Sequence, residues 1–106
     1  MKYEKLTESE EAVMKAIWDC TKEPELSDVV DRVTDVYGKD WKPQTVSTFL
    51  AKLVRKGYLK MKREGKKYTY KILVAEEAYR KERLKQVYIY LYSSDKEAME
   101  RDFRDI

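Results

Sequence analysis

Residues 41–72 read WKPQTVSTFLAKLVRKGYLKMKREGKKYTYKI, and the hydrophobic period changes once within them. Up to Gly57 the apolar residues Val46, Phe49, Leu50, Leu53 and Val54 recur at helical spacing. Pro43 suits the first turn of that helix, where no amide hydrogen is needed, and Gly57 stops it. Beyond Gly57 the period falls to two. Tyr58-Leu59-Lys60-Met61-Lys62-Arg63 and Lys67-Tyr68-Thr69-Tyr70-Lys71-Ile72 predict two strands joined through Glu64-Gly65-Lys66. A lone hairpin is marginal in water, so this one is expected to lie on helices.

Two helices are expected before this stretch. Thr7 and Glu10 fit a capping box, and Ala12, Val13, Ala16, Ile17 and Cys20 follow as one apolar stripe. Cys20 lies in that stripe and reads as a small core residue rather than a reactive thiol. Lys22, Glu23, Pro24 and Glu25 break the pattern. Ser27 then reads as the cap of a second helix that buries Val29, Val30, Val33, Val36 and Tyr37 and stops at Gly38. Trp41 is expected to pack beneath the third helix.

After the hairpin, helical spacing returns from about Ala75 to Tyr92, with Leu84, Val87, Tyr88, Leu91 and Tyr92 on one stripe. Ser93-Ser94-Asp95 marks a break and a fresh cap, and Met99, Phe103 and Ile106 form a second short stripe. The order is helix, helix, helix, basic hairpin, then more helix. This predicts a mainly α fold with a small β-hairpin (α+β): a winged helix-turn-helix over residues 1–74, followed by C-terminal dimerisation helices over 75–106. The apolar stripes of those last helices need a cover, either the same domain or a second copy of the chain, and the second copy is the expected one. That makes Leu84, Val87, Tyr88, Leu91, Tyr92, Met99 and Phe103 the expected dimer interface.

Composition narrows the function. The chain has 106 residues, no histidine and one cysteine. A Ser-His-Asp or Cys-His site cannot be built within it, nor can a zinc site of the usual nitrogen and sulfur ligands. No metal or cofactor is expected, and a binding module is favoured over an enzyme. No apolar run approaches the roughly 18 residues of a membrane helix, and the N-terminus lacks a signal peptide's apolar stretch. A cytoplasmic setting without membrane attachment is the expectation.

The net charge of +3 is unevenly spread. Residues 1–41 hold 6 basic and 11 acidic side chains, and residues 72–106 hold 7 and 8. Residues 42–71 hold 10 basic side chains against Glu64 alone, a block of +9. A polyanion is the natural partner of such a block. The polar side of the third helix carries Gln44, Thr45, Ser47, Thr48, Lys52 and Arg55. A merely solvated helix face is more often rich in Glu and Lys. Most of the nine tyrosines read as core or interface residues.

Three stretches make the chain resemble the penicillinase-repressor family (BlaI/MecI/CopY-type bacterial winged-helix repressors). They are Leu6-Thr7-Glu8-Ser9-Glu10 with Val13-Met14-Lys15-Ala16-Ile17-Trp18, then Trp41 through Leu59, then Gly65-Lys66-Lys67-Tyr68-Thr69-Tyr70. The resemblance implies a homodimeric transcriptional repressor that binds double-stranded promoter DNA at a TACA/TGTA-type dyad. It implies base contacts from Gln44, Thr45, Ser47 and Thr48. It implies backbone contacts from Lys42, Lys52 and Arg55, with Lys66, Lys67 and Tyr68 on the wing.

Two departures bear on the inducing signal. Copper-responsive members carry a C-terminal cysteine motif, and no cysteine follows Cys20 here. The β-lactam-responsive members are inactivated by a signal-activated protease that cuts in the C-terminal helices, commonly before Phe; the nearest feature is Arg101-Asp102-Phe103-Arg104, with a different local sequence. The C-terminal arm is also shorter than is usual for the family. The other reading of the fold is a winged-helix adaptor that binds protein without specific DNA readout.

Overall fold

Thr7 starts the first helix as its spacing predicts. In the computed structural model, which describes residues 2–106, α1 spans Glu8–Trp18. Thr7 Oγ1 accepts from Glu10 N at 3.2 Å, and Glu10 Oε1 accepts from Thr7 N at 2.7 Å. Two orphan amides of the first turn are thereby satisfied reciprocally. Val13, Met14, Ala16 and Ile17 are fully buried. Cys20 lies just past the helix, half-buried, and its thiol donates to Ala16 O.

The second helix, α2 (Leu26–Asp35), begins ahead of Ser27. Its cap is Glu25, whose N–H donates to Asp28 Oδ2 at 2.9 Å, while Ser27 stands in the first turn. A carboxylate three residues on outcompetes the serine hydroxyl for the cap because it can reach back to that amide. Val29 and Val33 are buried, but Val36 is 55% exposed, contrary to its expected place in the core. The helix has ended by then, and the chain turns away through Gly38, which sits at φ +64.

The third helix, α3 (Pro43–Arg55), carries proline in its first turn and buries Val46, Leu50 and Leu53 completely. Phe49 meets Trp41 with ring centroids 5.0 Å apart, so Trp41 packs against α3 as expected. At its end Gly57 adopts φ +85, with Gly57 N bonding Val54 O at 3.1 Å and Tyr58 N bonding Leu53 O at 3.0 Å. This is a Schellman stop, which turns the chain sharply into the hairpin. Tyr58 is drawn wholly into the core, and its hydroxyl donates to Glu4 O at 2.6 Å.

β1 (Leu59–Glu64) and β2 (Lys67–Ile72) pair antiparallel, from Leu59 opposite Ile72 to Glu64 opposite Lys67. The loop is therefore two residues, Gly65-Lys66, with Gly65 at φ +66 as a tight hairpin turn demands. The hairpin does lie on the helical unit. Leu59, Thr69 and Tyr70 are buried, and Tyr70 N donates to Pro24 O at 3.1 Å.

Helices α1, α2 and α3 pack pairwise, and α3 packs on β1. Their shared core makes Glu4–Glu76 one compact unit. Truncating a fully buried residue such as Leu50 to alanine costs about 2–5 kcal/mol.

Residues 2–3 and Glu77–Ile106 form the other unit. Lys2 N bonds Glu82 Oε1 at 2.9 Å on α4 (Glu76–Gln86). The expected single helix to Tyr92 is not uniform. Val87–Leu91 widens into a π-helical turn, with Tyr92 N bonding Val87 O at 3.3 Å. The break falls where expected: Ser93 and Ser94 take φ +49 and +61, and Asp95 caps α5 (Lys96–Arg104) by accepting from Ala98 N. No helix among the described residues is long and apolar enough to cross a membrane.

Candidate nucleic-acid interface

Helical geometry sorts α3 into two sides. Val46, Leu50 and Leu53 point into the core, so Gln44, Thr48, Ala51 and Arg55 run along the middle of the opposite side. Thr45 and Lys52 flank this line on one edge and Ser47 on the other, and all seven are exposed. The first half of the helix presents short hydrogen-bonding groups and its second half cations. No acidic residue interrupts the face. Ala51 lies on it too, a methyl between Thr48 and Arg55 that a polarity-based reading passes over.

Thr48 is oriented by its own helix: Oγ1 donates to Gln44 O at 3.0 Å. Its proton is thus committed, leaving an oxygen acceptor and a methyl for a partner. Lys52 Nζ lies 5.8 Å from the Phe49 ring, and Lys39 Nζ lies 5.8 Å from Trp41. Each cation thus lies beside one ring of the Trp41–Phe49 pair, through which Trp41 packs on α3.

The ten cations of residues 42–71 are not equivalent. Lys56 turns inward to Glu10, at 2.7 Å, and also donates to Lys5 O at 3.0 Å. Lys62 pairs with Glu23 at 3.1 Å, and Lys67 lies 3.8 Å from Glu25 while remaining 73% exposed. Glu23 and Glu25 flank Pro24, whose carbonyl holds Tyr70 N. The segment that breaks the helical pattern is therefore the seat of the hairpin, one carboxylate for each of two wing lysines. Among the described residues, Lys42, Lys52, Arg55 and Lys66 stand in no ion pair.

Arg63, absent from the sequence-based contact set, sits directly opposite Tyr68 next to the hairpin tip. Its Nε donates to Gly65 O at 3.0 Å, and its guanidinium lies 6.0 Å from the Tyr68 ring. The two-residue loop is the signal that could have paired them, since it sets the register.

Elsewhere in this unit a polar cluster ties α1 to α2. Tyr37 donates to Asp19 Oδ2 at 2.7 Å, and Lys15 pairs with both Asp19 and Glu76. The Tyr37 hydroxyl bond and Lys15 hold the Asp19 carboxyl below its ordinary value against the effect of burial. Burial pushes the Cys20 thiol up, away from the reactive thiolate form. Among the described residues, no group of three or more His, Cys, Asp or Glu side chains is placed to hold a metal ion.

In the other unit, Leu84, Leu91 and Phe103 are exposed, with Leu91 at 79% and Phe103 at 73%. Val87, Tyr88, Tyr92 and Met99 are half-buried. Ile89 and Tyr90, on the π-helical turn, are exposed as well. The widened turn spreads the apolar residues over a broader surface than one α-helical stripe. Tyr88 OH donates to Ser94 O and Ser94 N to Tyr88 O, each at 2.9 Å, while Tyr92 OH reaches Asp102 Oδ2 at 2.9 Å. These bonds hold α5 to the turn within the unit.

The penicillinase repressor family model matches residues 6–105. The solution structure of the monomeric form of Bacillus licheniformis BlaI in complex with the blaP half-operator is similar, at TM-score 0.60 and 27% identity, covering 73% of this chain and 90% of that one. The DNA-binding domain of the repressor BlaI matches at TM-score 0.60 and 28% identity, over 71% of this chain and 88% of that one. An uncharacterised 16.5 kDa protein from the ptsI 3′ region of Latilactobacillus sakei is 32% identical over 71 residues. That stretch is 67% of this chain and 47% of the relative, so the chain spans about half the length of the curated relative it matches.

Proposed function

The chain belongs to the penicillinase repressor family, and from that premise we propose that it is a DNA-binding transcriptional repressor, acting as a homodimer on a TACA/TGTA-type dyad in the cytoplasm. The observation that carries the reading is the exposed side of α3. It is free of carboxylates, lined with Gln44, Thr45, Ser47 and Thr48, and followed by Lys52 and Arg55. Short polar groups on the first half of a helix suit base edges in a major groove, and cations suit the phosphates beside them. Lys42, Lys66, Lys67 and Tyr68 add backbone contacts around that helix. The BlaI structure solved with its half-operator supports the same use of the fold.

Dimerisation through Leu84, Val87, Tyr88, Leu91, Tyr92, Met99 and Phe103 covers the apolar surface of the C-terminal unit. It also brings two reading helices to successive major grooves about one helical turn apart. Separation of the dimer, by a protease or another signal, then releases the operator without touching α3. The protein works by binding and exclusion, not by catalysis.

The test is duplex binding by the purified chain at several salt concentrations, comparing a TACA/TGTA dyad with a scrambled duplex of equal length. Two chains per dyad, selective binding and a steep salt slope are expected. Weak binding that ignores sequence would replace this reading with a protein-binding adaptor.

A further inference from the structure

We infer that Arg63 is a second sequence-reading element, a guanidinium delivered by the hairpin tip into the minor groove beside each half-site, selecting A·T pairs there. The inference rests on the DNA-binding reading above and assigns a role to a residue outside the contact set implied by sequence.

Arg63 is exposed, and among the described residues no carboxylate pairs with it. Strand alternation puts it on the same side of the hairpin as Tyr68, its cross-strand partner. Glu64, the single acid between residues 42 and 71, falls on the other side, where it lies 3.8 Å from Lys62. The side chain is also pre-shaped. Its Nε donates to Gly65 O at 3.0 Å, and its guanidinium carbon lies 6.0 Å from the centre of the Tyr68 ring. With Nε engaged there, both terminal nitrogens are left to donate outward, and part of the ordering that binding requires is already made. Lysine would offer a hydrated point charge without that fork.

The dimensions fit. Arg63 lies four strand residues beyond the buried Leu59, where β1 packs against α3, which is about 13 Å before its long side chain adds its own length. Adjacent grooves lie about half a 34 Å helical repeat apart, roughly 17 Å. A hairpin rooted beside a helix in the major groove therefore has the reach to meet the neighbouring minor groove. A·T-rich minor grooves are narrow and strongly negative, and arginine is favoured there; the exocyclic amino group of guanine obstructs the floor.

The experiment measures intact protein on dyads whose flanks, about five base pairs outside each half-site, are A·T, G·C or inosine·C. Inosine·C has the major-groove edge of G·C but the minor-groove edge of A·T. Wild-type protein should bind A·T and inosine·C flanks alike and G·C flanks about fivefold or more weakly. Arg63→Lys should keep its dyad preference and salt slope while losing the flank preference. If inosine·C behaves as G·C, if flanks have no effect, or if Arg63→Lys retains the preference, the inference falls and the repressor reading stands. If the wild-type protein ignores the dyad itself, both fall.

Discussion

Glu10 and Lys56, 46 residues apart in sequence, form an ion pair of 2.7 Å whose carboxylate is almost wholly buried. Glu10 already serves the cap of α1 by accepting from Thr7 N, and Lys56 is the C-terminal cap residue of α3. The pair therefore joins the first turn of one helix to the end of the helix that presents the polar face. It also removes Lys56 from the outward positive field that a count of charges assigns to it. Breaking one side leaves a buried charge alone, so Lys56→Met should destabilise the fold by about 3 kcal/mol. The double variant Glu10→Gln/Lys56→Met should recover much of that loss. Urea denaturation of the three proteins checks both expectations.

The same pair predicts an acid limb. Burial pushes the Glu10 carboxyl up, but the Lys56 ammonium and the Thr7 amide outweigh it and hold the carboxyl below its ordinary value. A depressed folded value means that the stabilisation is complete above the unfolded value and is lost as pH falls through the folded one. Wild-type protein should therefore lose more stability than Glu10→Gln when pH drops from about 5 into the carboxylate range. Thermal unfolding across that range is the measurement, and parallel curves would remove Glu10 from the account.

Thr48 offers a partner its methyl and an acceptor oxygen, because its proton is held by Gln44 O. Thr48→Ala should cost about 1–3 kcal/mol at the cognate dyad and little on random DNA. Thr48→Val keeps the methyl. If thymine-methyl contact dominates, valine should bind nearly as well as threonine, and uracil for thymine in the half-site should weaken both. Binding isotherms on the two duplexes decide between methyl and oxygen.

Lys67 is shared between Glu25 and solvent. Lys67→Ala should weaken cognate and random DNA about equally and reduce the salt slope by about 1. Glu25→Gln should act in the opposite direction, tightening binding to both. Salt titrations of the two variants test this competition; an unchanged slope for Lys67→Ala would place that lysine off the phosphates.

Leu91 and Phe103 are two of the most exposed apolar residues proposed for the dimer surface of the C-terminal unit. Leu91→Asp with Phe103→Asp should leave the secondary structure intact and yield monomers that bind a single half-site. Sedimentation equilibrium and the stoichiometry on the dyad read out the result. A chain cut before Leu84 that still bound the full dyad as tightly would exclude this surface from the dimer.

The elements of this protein are set by neighbours in sequence. The Thr7–Glu10 box, Pro43 at the start of α3, the stops at Gly38 and Gly57, the period change after Gly57 and the cap at Asp95 are each decided within a few residues. The polar side of α3 was legible for the same reason, since a 3.6-residue repeat fixes which residues oppose a buried stripe. Only the tertiary structure could sort the cations of residues 42–71 by role. Lys56 meets Glu10, Lys62 meets Glu23 and Lys67 meets Glu25 across some 40 residues of chain, and Arg63 meets Tyr68 only once the register is set. Ionic interactions depend on distance in space, and burial alters their strength. No local pattern encodes which of ten like charges finds a carboxylate and which remains turned to solvent.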